Sequence, residues 1–170
     1  LLDILTNPER KEYKKYRATI KHADFVTISI GSNDLLHLIQ LDLNMEEMIK
    51  RDAHKFDEAC VQFAKTFPKI IREIRAVNPN VKIYADNIYN PAKGIEAFSQ
   101  VYSVADDYIN RMNRGFYPSD EYVLVDIKKC FDGEKESMVN LSFKGREIDP
   151  HPSEKGHKKI AQMVIKAMER

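Results

Sequence analysis

Hydrophobic residues along this chain follow two spacings, one typical of buried strands and one typical of amphipathic helices. Residues 24–30 are β-branched and mostly apolar before Gly31, which predicts a buried strand that ends in a turn. Two further short apolar runs, residues 81–86 and 122–127, predict strands of the same kind. Helical spacing of apolar residues predicts four helices, over residues 6–21, 52–77, 97–113 and 153–168.

Caps and prolines predict where these helices begin and end. Residues 6–9 combine a Thr/Asn cap, a proline and a glutamate that can close a capping box, so the first helix is expected to start there. Pro68 lies inside the second helix and is expected to break or kink it. Ser153 is a typical cap for the last helix. The polar segment 132–147 predicts a loop, with a short extended piece at 140–143.

The order of these elements predicts an α/β fold. Strands alternate with helices and are apolar on both faces, as in a parallel sheet covered by helices on both sides. A length of 170 residues suits one domain, and we expect a single domain over residues 1–170. Sites in such sheets lie at the carboxyl ends of the strands, and the segment 31–34 directly follows one such end.

Composition and charge exclude several classes of function. There are 27 Lys and Arg against 26 Asp and Glu, a formal net charge of +1, so we expect no nucleic acid partner. No apolar run approaches the roughly 20 residues of a membrane span, so no stable membrane insertion is expected. Cys60 and Cys130 have neither metal-ligand nor disulfide-framework spacing, and Cys60 is expected to be a buried thiol. No histidine has zinc-ligand spacing, and we expect no metal and no cofactor.

An acid and a histidine lie two residues apart just before the last predicted helix. They are Asp149 and His151, in the segment Asp-Pro-His-Pro-Ser. A carboxylate beside a histidine fixes the imidazole tautomer and stabilises the imidazolium that forms during proton transfer. His151 is therefore a candidate general base.

The segment Gly-Ser-Asn-Asp at residues 31–34 is the second candidate. Gly31 allows a sharp turn after the strand, and the amide N–H groups of Asn33 suit a developing oxyanion. Taken alone, this tetrapeptide is also ordinary turn and helix-cap chemistry. Tyr84, Tyr89 and Phe143 either line the site or pack in the core.

In this order, the two segments resemble the SGNH, or GDSL-type, hydrolase family of esterases and acylhydrolases. Residues 26–34 are similar to the family's G-x-N-D block, and residues 149–157 are similar to its C-terminal acid-and-histidine block. The resemblance extends over the chain from Leu1 onward. It implies a three-layer αβα sandwich with the flavodoxin-like strand order 2-1-3-4-5. It also implies a serine esterase or lipase-like acylhydrolase whose substrate is a small-molecule ester or lipid.

The resemblance assigns roles to particular residues. Asn33 corresponds to the oxyanion-hole asparagine, Gly31 forms the turn that presents it, and His151 corresponds to the general base. The usual acid lies three residues before the histidine, where this chain has Ile148. Asp149 and Glu147 can each reach the imidazole if the loop bends suitably, and Asp149 is favoured.

The family's nucleophile segment has no counterpart in these residues. Neither a G-D-S-type block nor the second oxyanion glycine is found, so we expect the first two strands and the serine nucleophile to be missing from this chain. Ser32 is the alternative nucleophile, but it lacks the G-x-S-x-G elbow and occupies a variable position of the family block.

Two other classes of function are alternatives to the esterase. Without the first two strands, residues 24–30 would form an exposed apolar edge through which the chain self-associates, as in a noncatalytic binding or interaction module. A nucleotide-binding domain is disfavoured, because no glycine-rich phosphate loop follows any of the predicted strands.

Overall fold

A three-stranded parallel sheet forms the centre of the protein, in a computed structural model that describes residues 1–39, 45–96, 99–140, 142–144 and 147–169. The strands are β1 (Phe25–Ser29), β2 (Lys82–Asp86) and β3 (Val123–Val125), in the order β1-β2-β3. Ser29 pairs in register with Asp86, which pairs in turn with Val125, so the three carboxyl ends are level.

Helices and one small hairpin surround this sheet. In the described part of the chain the helices are α1 (Leu2–Thr6), α2 (Tyr13–Lys21), α3 (Ser32–Leu36), α4 (Met45–Arg51), α5 (Ala53–Val77), α6 (Ser99–Asn113), α7 (Ile127–Asp132) and α8 (Glu154–Met168). The hairpin consists of two antiparallel strands, β4 (Ser142–Lys144) and β5 (Glu147–Asp149).

Two hydrophobic clusters lie on the two faces of the sheet. Ile83 and Ala85 of β2 belong to the larger cluster with α5 and α6, whereas Tyr84 between them belongs to the cluster with α7 and α8. This division follows from the alternation of side chains along a strand. Helices therefore cover both faces, and the predicted α/β fold class is confirmed.

Helix α5 runs unbroken through Pro68 as a single helix of 25 residues, so a break there is wrong, while the alternative of a kink stays a prediction. Proline removes one backbone donor, but the residues around it are held by packing. Phe67 is fully buried and its ring contacts those of Phe63, Phe116 and Tyr122 at centroid distances of 4.8 to 5.7 Å. Tertiary contacts at this position outweigh the lost hydrogen bond.

The first predicted helix is also wrong at its start, because residues 7–12 lie outside any helix and separate α1 from α2. Thr6 ends α1, where its hydroxyl donates to the Leu2 carbonyl oxygen at 3.0 Å, and it does not cap the helix that follows. Asn7 then accepts from the Glu9 N–H, which makes a turn before α2. Leu5 is completely buried and anchors the short helix α1.

The end of β3 and the segment after it differ from the prediction. The strand ends at Val125, since the Asp126 side chain accepts from the Lys129 N–H at 3.1 Å and thereby starts α7. The predicted loop 132–147 contains the last residue of α7, all of β4 and the first residue of β5. Leu141 of the predicted extended piece and residues 97–98 of the third predicted helix lie outside the described residues.

Burial confirms one expectation and corrects another. Cys60 is buried on α5, as predicted, and both cysteines are free. Strand β1 was predicted to be buried, but only Ile28 in it is, and Phe25 is 52% exposed. Among the helices that the structure describes, none has the length and apolar character needed to cross a membrane.

Candidate active site

A cleft lies at the carboxyl ends of β1 and β2, next to the segment that precedes α8. One end of the cleft is polar and is lined by Ser29, Ser32, Asn33, Asp86 and His151. The structure thus brings Asn33 and His151, predicted from segments far apart in sequence, to the same cleft. Asp149 is not a lining residue, but it contacts His151 directly.

The acid and the histidine form a close pair. Nδ1 of His151 lies 2.5 Å from Oδ1 of Asp149, and the backbone N–H of His151 donates to the same oxygen at 3.1 Å. The two side chains are 81% and 49% exposed. Because Asp149 engages Nδ1, Nε2 is the nitrogen left to exchange a proton with a substrate or nucleophile. The side chain of Glu147, the alternative acid, lies outside the described part of the structure.

The start of α8 holds this pair in place. Ser153 caps the helix by accepting from the Gly156 N–H at 3.1 Å. Its own N–H and hydroxyl both donate to the Met138 carbonyl oxygen, at 2.8 and 3.1 Å. The Asn140 N–H donates to the His151 carbonyl oxygen at 3.3 Å. The backbone of His151 and of the residues directly after it is therefore fixed to residues 138–140.

Gly156 allows the helix to approach that segment closely. A Cβ atom at this position would lie 2.1 Å from the Met138 carbonyl oxygen and 2.9 Å from Cβ of Pro152. The first of these distances is far shorter than van der Waals contact, so any side chain would push α8 away from Met138.

We expect Gly156→Ala to lower the free energy of unfolding by about 1 to 3 kcal/mol, as overpacking does. Urea unfolding followed by circular dichroism measures the change. Gly133→Ala is the matched control, because a Cβ there would meet its nearest atoms at an ordinary 3.5 Å. Equal losses of stability in the two variants would contradict the close approach at Gly156.

Tyr89 connects the loop after β2 to the same segment. Its hydroxyl donates to the Pro150 carbonyl oxygen at 3.0 Å, and its ring packs against Phe131 at a centroid distance of 4.8 Å. Burial and the nearby charge of Asp149 raise the pKa of Tyr89 to about 12, so it remains a donor at ordinary pH. Tyr89 therefore lines the cleft and bonds the residue directly before His151.

The turn at Gly31 presents Asn33. Gly31 has φ of +102° and caps α3, and a Cβ there would lie 2.8 Å from Cε2 of Phe63 and 2.9 Å from Cδ1 of Ile88. Backbone conformation and packing both require glycine. Leu35 is buried and anchors α3, while Asn33 is exposed toward the cleft. Within the described residues, the Asn33 amide forms no hydrogen bond and is available to a ligand.

Asp86 is a further acidic group of this cleft, and sequence analysis assigned it no role. It ends β2, is only 8% exposed, and its Oδ1 has no hydrogen-bond partner in the described residues. Burial raises the pKa of Asp86 to about 6. Its place at the end of a predicted apolar strand did not indicate a functional role. Asp86 reaches the cleft because it pairs in register with Ser29.

Most of the remaining lining of the cleft is apolar, although Asn87 and Asn90 also line it. Side chains from α3, α4, α5 and α6 form its walls, and they include Leu35, Leu36, Ile49, Phe56, Val101, Ala105, Tyr108 and Ile109. Among the described residues, no lysine or arginine lines it. A cleft with apolar walls and a few polar groups at one end suits a ligand with an apolar chain and a polar head.

Comparisons with known proteins give a family match, a curated relative and a solved structure. A model of the GDSL-like lipase/acylhydrolase family matches residues 6–159. The uncharacterized protein YpmR of Bacillus subtilis (strain 168) is 27% identical over 163 residues, which cover 95% of this chain and 60% of YpmR. The lipase Lip_vut3 from a goat rumen metagenome has a crystal structure that matches with a TM-score of 0.67 at 22% identity, over 98% of this chain and 71% of the lipase. The chain thus spans about 60% of the length of its curated relative and shares the lipase's fold.

Proposed function

Because this chain belongs to the GDSL-like lipase/acylhydrolase family, we propose that the protein containing it is a serine esterase that hydrolyses carboxylic esters through an acyl-enzyme. The observation that carries the proposal is the 2.5 Å contact between Nδ1 of His151 and Oδ1 of Asp149, beside a cleft that Asn33 also lines. A base oriented by an acid, next to a donor for an oxyanion, provides what acyl transfer requires apart from the nucleophile.

Each residue has a defined part in this reaction. Nε2 of His151 takes the proton of a serine hydroxyl as the serine oxygen attacks the ester carbonyl carbon. The Asn33 amide donates to the oxyanion that forms, while Asp149 stabilises the imidazolium. His151 then returns the proton to the leaving alcohol. In the second half, His151 deprotonates water, which attacks the acyl-enzyme, releases the carboxylic acid and regenerates the serine.

We place the nucleophile on a serine outside residues 1–170. Three features support this part of the proposal: the family's G-D-S-type block has no counterpart here, the chain spans 60% of YpmR, and β1 pairs on one side only in the described residues. A strand on the other side of β1 would end level with Asn33. Ser32, the first residue of α3, remains the alternative within the chain.

The acyl group of the substrate would occupy the apolar part of the cleft. Leu36, Phe56 and Ile109 come from three different helices and face the same space. Burial of an acyl chain against such walls contributes about 0.8 kcal/mol per methylene. We therefore propose that esters with medium-length or longer acyl chains bind better than acetates.

Hydrolysis of p-nitrophenyl butyrate and octanoate tests the proposal. We expect the protein extended upstream of Leu1 to release p-nitrophenol, and the 170-residue chain alone to release none above background. Turnover by the chain alone that disappears in Ser32→Ala would place the nucleophile at Ser32. Absence of turnover in the extended protein, with the serine of a G-D-S segment present, would contradict the esterase.

The exposed start of β1 favours a second candidate function. Phe25 is 52% exposed, and in the described residues β1 has one unpaired edge. Such an edge can pair with a strand of another molecule. On this proposal the chain is a noncatalytic module that self-associates through residues 24–30, and sedimentation of the purified chain as a monomer would contradict it.

A further inference from the structure

The carboxyl group of Asp86 is buried at the polar end of the cleft, and its Oδ1 has no hydrogen-bond partner among the described residues. Asp86 pairs in register with Ser29 on one side and with Val125 on the other, so it lies in the middle of the carboxyl edge of the sheet. It lines the cleft together with Asn33 and His151. Its Oδ1 accepts no hydrogen bond in the described part of the chain, although the residue is only 8% exposed.

Two asparagines that follow Asp86 in the chain, Asn87 and Asn90, form hydrogen bonds with other residues. Asn87 donates to Asp126 at 2.7 Å and accepts from the Lys128 N–H at 2.8 Å. Asn90 donates to the Tyr102 carbonyl oxygen at 3.2 Å and accepts from the Ala92 N–H at 3.0 Å. These contacts fix the loop after β2, so its amides are not free to turn toward Asp86.

A buried carboxyl without a partner is unfavourable for the folded chain. Most buried polar groups in proteins are paired, and an exception in a cleft is a candidate contact for a ligand. Burial alone raises the pKa of Asp86 to about 6, so the group is largely ionised at neutral pH and acts as an acceptor there. No lysine or arginine among the described lining residues competes for it.

We infer that Asp86 selects the ligand of this cleft by accepting a hydrogen bond from a hydroxyl or ammonium group on its polar part. The apolar walls take the acyl chain, and Asp86 takes a donor close to the carbonyl group. Under the proposed function, on which this placement rests, the substrate is an ester of an alcohol that carries a second hydroxyl or an amine. An anionic head group is disfavoured, because Asp86 is acidic and no lysine or arginine is among the described lining residues.

Binding of uncleavable amides to the purified 170-residue chain tests this inference without any need for catalysis. The first pair is N-(2-hydroxyethyl)octanamide and N-propyloctanamide, which have the same number of heavy atoms and differ in one hydroxyl. The second pair is N-[2-(dimethylamino)ethyl]octanamide and N-(3-methylbutyl)octanamide, which differ in one protonated amine. NMR titration at pH 7.5 gives the four values of Kd.

We expect the donor-bearing member of at least one pair to bind about 10- to 100-fold more tightly, as hydrogen bonds to charged groups do. The pair that shows the preference identifies the donor as hydroxyl or ammonium.

Asp86→Leu should abolish the preference for the donor-bearing amide. Asp86→Asn keeps the shape of the side chain and should abolish the ammonium preference even if the leucine variant does not fold. Asp107→Asn, an exposed position on α6, should keep the preference.

Two results would overturn the inference. One is equal affinity within both pairs for the unmodified chain; the other is a preference that persists unchanged in Asp86→Leu or, for the amine, in Asp86→Asn. Both concern binding alone, so they leave the esterase proposal standing. Conversely, an extended protein that hydrolyses no ester would contradict the esterase without removing a measured preference for the donor.

Discussion

Replacing His151 by alanine is expected to lower kcat/KM of the upstream-extended protein for p-nitrophenyl butyrate by about 10²- to 10⁴-fold. The reason lies in the pair with Asp149, whose Oδ1 contacts Nδ1 of His151 at 2.5 Å and accepts its backbone N–H as well. This arrangement leaves Nε2 as the base for the serine and as the acid for the leaving alcohol. Without the imidazole both proton transfers fall to water. The loss should appear in kcat, since both proton transfers belong to the chemical steps of the reaction.

His157→Ala is the matched control for this prediction. His157 is exposed on α8, six positions after His151, and its backbone N–H donates to the Ser153 carbonyl oxygen at 2.8 Å, a bond that alanine keeps. We expect its activity to stay within about threefold of the unmodified protein, as for an exposed residue outside the site. If His151→Ala folds normally by circular dichroism and is as active as His157→Ala, the base is not His151.

The fold class could be predicted because it depends on the alternation of apolar strands and amphipathic helices. The details that failed depend on contacts between distant residues. Pro68 is tolerated because Phe67 packs against rings from three other positions, and α1 exists because Leu5 is buried. A local pattern does not contain either contact. Ser153, whose cap is local, was predicted correctly.

The distinction between local sequence patterns and contacts of distant residues also applies to the candidate site. The segments around Asn33 and His151 could be found because each combines a turn or cap with a chemically active side chain. The choice between Asp149 and Glu147 could not be made from spacing, since the β4–β5 hairpin places Asp149 where its Oδ1 contacts both Nδ1 and the backbone N–H of His151. Asp86 could not be found at all. Its position depends on the register of three strands, and its lack of a partner depends on where the neighbouring asparagines turn.

Asn33→Ala is expected to lower kcat of the extended protein by about 10²- to 10³-fold, a loss of about 2.7 to 4 kcal/mol of transition-state stabilisation. Gly31 fixes the turn with φ of +102°, and Asn33 then faces the cleft with an amide that bonds no described residue, so its donors are free for the oxyanion. KM should change little, because the ground-state carbonyl gains less from this donor than the oxyanion does.

Asn80→Ala, in the exposed turn before β2 at the opposite end of the sheet, is the control and should leave kcat within about threefold. Comparison with Ser32→Ala then distinguishes two hypotheses, one in which Asn33 is the oxyanion donor and one in which Ser32 is the nucleophile. If Asn33 supplies the oxyanion donor and the serine lies outside this chain, Asn33→Ala loses most of kcat and Ser32→Ala loses little. A large loss in Ser32→Ala with a burst of p-nitrophenol abolished, beside a near-normal Asn33→Ala, would make Ser32 the nucleophile and remove Asn33 from the reaction.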